Sequence, residues 1–134
     1  MLIRSLFASA TLLGVLAATP FPANAQAEKL KRKAANSDEI NTYVNISIAT
    51  FCEARGQKID FQKSLAVAVA AQGYPIFSKH GGLVLGSTKP LEEKQFISNA
   101  VRMIMTGSLK GCPKMIPAGE KAKFEKAMEE AQNR

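Results

Sequence analysis

Residues 60–73 read DFQKSLAVAVAAQG, and this stretch decides the fold class. Asp60 suits a helix N-cap, because its carboxylate accepts the unpaired backbone N–H groups of a first turn. Phe61, Leu65, Ala68 and Val69 then recur at helical spacing. Ala66, Val67, Ala70 and Ala71 make the remaining faces nearly as apolar. A helix apolar almost all round is normally buried, so the stretch predicts a central helix from Phe61 to about Gln72. Its alanines permit close approach of neighbouring helices. Gly73 reads as its stop, and Pro75 disfavours continuation past Tyr74.

Upstream, Asn36 and Glu39 have the spacing of a capping box, with Ser37 and Asp38 as competing caps. Ile40, Tyr43, Val44, Ile48, Phe51 and Cys52 follow on one stripe, interrupted only by Ser47, and Gly56 fits a helix end. Downstream, periodicity fails from Tyr74 to Lys89, where Gly81, Gly82 and Gly86 fall. The expectation there is a helical turn over Pro75 to Lys79 and a short extended piece over Leu83 to Leu85. So long a connection in a small domain is either functional or loosely ordered. Ser87 or Thr88 then caps a third helix, with Pro90 in its first turn and Glu92 and Glu93 at its positive end. Ile97, Ala100, Val101, Ile104 and Met105 carry its stripe as far as Gly107. A fourth helix follows Pro117, with Phe124, Ala127, Met128 and Ala131 inward and Lys and Glu alternating outward.

These elements predict an all-α domain over residues 37–134, a small four-helix bundle running up-down-up-down and stapled by one disulfide. Cys52 ends the first helix and Cys112 follows the third, so in that topology both reach one end of the bundle. Closing the loop between them stabilises by about 4 kcal/mol on the chain-entropy argument. The alternatives are two free thiols or an intermolecular bridge. The connection carrying His80 then belongs at the opposite end.

The N-terminus predicts the compartment. Arg4 precedes the apolar run Leu6 to Ala18, which is shorter than the roughly 20 residues of a membrane span. Pro20 and Pro22 break any helix, and Ala23-Asn24-Ala25 fits a signal-peptidase site. Residues 1–25 read as a signal peptide, and the mature chain has no transmembrane segment. Export is expected, with the periplasm first, and a thylakoid lumen or the medium as alternatives. Residues 26–36 form a basic arm with Lys29, Lys31, Arg32 and Lys33. The signal holds one basic and no acidic residue, so the mature protein lies one unit below the net charge of +7. That charge favours an anionic surface, although many exported proteins are basic without binding a polyanion.

The motifs weigh against catalysis. His80 is the only histidine, and with both thiols oxidised no common zinc set assembles. Ser78 and His80 lack an orienting acid and an oxyanion hole. The glycines of the connection match no phosphate-binding loop, no Cys-x-x-Cys occurs, and no nucleic-acid motif is present. No cofactor or metal is implied. The binding candidates are the arm and the connection, where Tyr74, Ile76, Phe77, Lys79, His80, Leu83, Val84 and Leu85 form a patch if they point outward. If they fold back, they close the end of the bundle.

Phe51-Cys52-Glu53-Ala54-Arg55, Asp60-Phe61-Gln62-Lys63-Ser64 opening an alanine-rich helix, and Cys112-Pro113 carry a resemblance. In these residues the chain resembles small exported helical proteins of uncharacterised function from cyanobacteria, some of which bear a cyclic-nucleotide phosphodiesterase name. The resemblance implies export and a helical fold. It does not imply that activity here, because the histidine and aspartate clusters that hold phosphodiesterase metals are absent. The expected function is that of an exported non-enzymatic binding or accessory protein of unknown partner. The alternatives are a small hydrolase using His80, with phosphate esters as one substrate class in the manner of a phosphodiesterase, and a one-disulfide helical stress chaperone.

Overall fold

A computed structural model describes residues 32–133; the expected signal peptide, residues 1–25, and Lys29 and Lys31 of the expected arm lie outside the described residues. Four helices follow in order: α1 (Ser37–Gly56), α2 (Phe61–Ser78), α3 (Glu93–Gly111) and α4 (Ala118–Gln132), with a 3-10 turn at Pro113–Met115. The fold is all-α.

Local signals set several helix ends. The Asn36 side chain accepts the Glu39 N–H at 2.9 Å, and Glu39 accepts the Asn36 N–H at 3.1 Å, which completes the capping box. Asp60 Oδ1 accepts the N–H groups of Gln62 and Lys63 at 3.0 and 3.2 Å. The left-handed residue after α1 is Lys58, with φ 62°, whereas Gly56 is still helical.

Three expected helix boundaries are corrected. Helix α2 runs through Gly73 and Pro75 to Ser78. Pro75 lacks the N–H that would pair with Ala71, a loss of the order of 3 kcal/mol within a helix. Burial of Ile76 and edge-to-face packing of Phe77 on Phe96 at 5.2 Å act against it. Together these contacts offset a cost of that size. Helix α3 begins at Glu93 rather than after Ser87 or Thr88, since the Ser87 hydroxyl is engaged with the Val84 backbone in a local turn. It also passes Gly107, whose missing side chain admits Ile48 from α1.

Side-chain pairs fix the helix directions. Phe51 meets Phe61, Ser47 meets Gln72 and Tyr43 meets His80, so α1 and α2 run antiparallel. Cys52 and Cys112 are disulfide-bonded with their Cα atoms 6.0 Å apart, which brings the C-terminal ends of α1 and α3 together. The core holds Phe51, Phe61, Ala68, Ile76, Phe96, Ala100, Ile104 and Met105. Helix α4 is the loosest member. None of its residues is buried, and it rests on the core edge through Phe124. Of its expected inner face, Phe124 and Met128 are half-buried, while Ala127 and Ala131 are exposed.

At the end opposite the disulfide, residues 32–36 lie as a strap against the α2–α3 connection. The Ala35 N–H donates to Leu83 O and the Leu85 N–H donates to Ala35 O, both at 2.9 Å. Gly81, Gly82 and Gly86 take positive φ in that connection, and Ala35 is fully buried beneath it.

Candidate functional site

Two places merit attention: the polar cluster around His80, and the open face between α2 and α3.

His80 is 2 % exposed. Its Nδ1 lies 2.7 Å from the Lys33 carbonyl, and its Nε2 lies 3.0 Å from the Tyr43 hydroxyl. A carbonyl only accepts, so Nδ1 donates to Lys33, and Nε2 pairs with the Tyr43 hydroxyl. Both ring nitrogens are therefore engaged. Glu39 Oε1 lies 3.7 Å from Nε2 and takes an ammonium hydrogen bond from Lys79 at 2.6 Å. The Lys79 bond, with the Asn36 N–H, holds the Glu39 carboxyl below the ordinary carboxylate value, and Glu39 in turn raises the Lys79 ammonium. Ser78 Oγ donates to the Tyr74 carbonyl within α2 and makes no bond to His80. The ring acts as a clasp joining α1, the end of α2 and the strap.

Of the sequence-predicted patch, Ile76 and His80 point inward and are corrected to buried positions, each 2 % exposed. Leu83 and Val84 are half-buried, and Val84 packs on the core. Lys79 is paired with Glu39. Tyr74, Phe77 and Leu85 remain on the surface, with Tyr74 at 78 % and Leu85 at 66 % exposure. In the basic arm, Arg32 donates to the Phe77 carbonyl at 3.2 Å and the Lys33 backbone holds His80. The described part of the arm is thus strapped to the domain.

Tyr74 and Phe77 open onto a larger feature. A groove of about 820 Å³ runs between α2 and α3, floored by Leu65, Val69, Gly73 and Phe96 and walled by Ile97 and Val101. Gln62 stands at its disulfide end, and Ser78 and Glu93 at the other. From Ser64 to Ser78, helix α2 carries no charged residue. Sequence reasoning assigned Leu65, Val69, Ile97 and Val101 to the core. The signal available was the fourth helix, which is too polar to cover an apolar face four turns long.

The chemistry such a face offers is apolar association. Among the described residues no three His, Cys, Asp or Glu side chains are grouped to hold a metal, and no helix is long and apolar enough to cross a membrane. Comparison with protein families matches residues 38–134 to a domain of unknown function, DUF8650. The chain belongs to that family. No curated protein and no solved structure matches the chain. The family's matched span begins one residue inside α1 and takes in the groove and both cysteines, whereas the strap, with the Lys33 carbonyl that His80 holds, precedes it.

Proposed function

We propose that this member of the DUF8650 family is an exported, non-enzymatic binding module whose α2–α3 groove takes the apolar face of a helical protein segment. The uncharged run of α2 from Ser64 to Ser78, open to solvent on the side of Ala66, Ala70 and Tyr74, carries the reading. Surface faces of this length normally include charge, and contiguous exposed apolar area is a mark of interaction sites. A groove between two helices accepts the ridge of a third by ordinary helix packing. Export rests on the Arg4, Leu6–Ala18 and Ala23–Ala25 pattern, and the disulfide suits an oxidising compartment.

The test is calorimetric titration of the protein beginning at Gln26 with an amphipathic helical peptide. Saturable binding is expected, weakened at least tenfold in Val69→Glu while helicity and the disulfide are retained. Absence of saturable binding overturns the reading.

A further inference from the structure

We infer that the helical segment which fills this groove is α2 of a second copy of the chain, paired antiparallel about a two-fold axis near Ala70. The inference rests on the groove being a binding surface.

The exposed side of α2 is close to self-complementary. Ala70 lies near the middle of Phe61–Ser78, and Ala66 and Tyr74 flank it at one turn on either side. A two-fold axis perpendicular to the helix at Ala70 sets each Tyr74 over the partner copy's Ala66. Large meets small twice, as an isologous contact requires. Tyr74, at 78 % exposure, has no other neighbour to cover it within the described residues.

Charge selects the direction. Lys63 is exposed one turn before Ala66 and Val67, at the disulfide end of this side. Glu93 stands in the groove at the far end, beside Ser78. An antiparallel pair carries each Lys63 toward the Glu93 end of the other copy. A parallel pair sets Lys63 against Lys63, which like-charge repulsion disfavours. Among the residues that line the groove, Glu93 alone is charged.

Size sets the strength. The eighteen residues of α2 span about 27 Å, with Glu93, Phe96, Ile97 and Val101 alongside from α3. Such a face lies toward the small end of specific interfaces, so association is expected at micromolar rather than nanomolar concentrations.

Sedimentation equilibrium of the mature protein, disulfide intact, tests this from micromolar to millimolar concentration. The expected result is a reversible monomer–dimer equilibrium. Ala70→Glu, at an exposed position, is expected to leave a monomer of unchanged helicity. Lys63→Glu and Glu93→Lys are each expected to weaken pairing by about tenfold, and the double variant to restore it. A monomer at every concentration overturns the proposal, as does a dimer indifferent to Ala70→Glu. Single-variant losses that the double variant fails to repair overturn the antiparallel arrangement. The peptide titration separates the two readings: a monomer that still binds peptide through Val69 loses the self-pairing alone, and a monomer that binds none loses both.

Discussion

Tyr43 closes a three-way junction through His80: its hydroxyl meets Nε2 at 3.0 Å while Nδ1 holds the Lys33 carbonyl at 2.7 Å. One imidazole thereby joins α1 to the end of α2 and to the strap of residues 32–36. Tyr43→Phe keeps the ring packing at 5.9 Å but leaves a buried nitrogen without its partner. An unpaired buried polar atom costs about 1–3 kcal/mol, and urea unfolding should show a loss in that range. An unchanged midpoint would mean the bond carries no net stability.

The Glu39–Lys79 pair gives the fold a dependence on pH at both extremes. Glu39 is held below its ordinary 4.5 by the Lys79 hydrogen bond first and the Asn36 N–H second. A lowered folded value means that its contribution is complete above 4.5 and is lost as pH falls through the folded value. Lys79 is raised from 10.5 by the hydrogen bond to Glu39, so its contribution is complete below 10.5 and fades as pH rises through the raised value. The Lys79 side chain is 60 % and the Glu39 side chain 26 % exposed, so solvent screens the pair and the effect is small. Thermal melts of wild type and Glu39→Gln should converge as the solution is acidified below 4.5. Curves that stay parallel there would exclude a role for the pair.

What could be read in the sequence, and what could not, follows from the range of the forces involved. The Asn36–Glu39 box and the Asp60 cap act within one turn, and both formed as expected. The cysteine pairing followed from helix order, and the bond is present. Gly73 and Pro75 misled because the continuation of α2 is decided across helices, by Phe96 and the burial of Ile76. Ser87 misled because its hydroxyl had a nearer backbone to bind. His80 looked like a loop residue, since its two partners lie 47 and 37 positions away. The groove was half legible. Tyr74 and Phe77 were singled out, but an all-round apolar α2 reads the same whether its last face is covered or open.

Two glycines should respond differently to alanine. A Cβ on Gly107 would stand 2.8 Å from Cγ1 of Ile48, close to the branch point of a side chain with one strongly preferred helical rotamer. The disulfide holds the two helices together near this level, so the backbone has little room to retreat. A Cβ on Gly73 meets the Phe96 ring at 3.0 Å and Phe77 in ordinary contact at 3.8 Å, beside an open groove into which the Phe96 ring can tilt. Both variants gain about 1 kcal/mol of helix propensity. Overpacking of about 1–3 kcal/mol should outweigh that gain at Gly107 and roughly cancel it at Gly73. Equal unfolding midpoints for the two would remove the distinction.

The staple should account for a large share of stability. With a sequence separation of 60 between Cys52 and Cys112, the chain-entropy argument gives about 4 kcal/mol. The double variant Cys52→Ser, Cys112→Ser should lose about that much in urea. A loss below about 1 kcal/mol would indicate that contacts such as Ile48 on Gly107 already restrict the open chain.

Ser108 offers a stabilising change. Its Oγ is buried with no hydrogen-bond partner among the described residues, whereas Ser64, equally buried, donates to Asp60 O at 2.8 Å. Ser108→Ala removes an unpaired polar atom and adds helix propensity, so a gain of about 0.5–2 kcal/mol is expected. Ser64→Ala loses a satisfied bond at the start of α2 and should be neutral or unfavourable by up to about 1 kcal/mol. The two substitutions delete the same atom type from helical positions of equal burial, so opposite signs in parallel urea titrations would isolate the hydrogen bond as the cause. Matching signs would show instead that packing around the lost oxygen decides both.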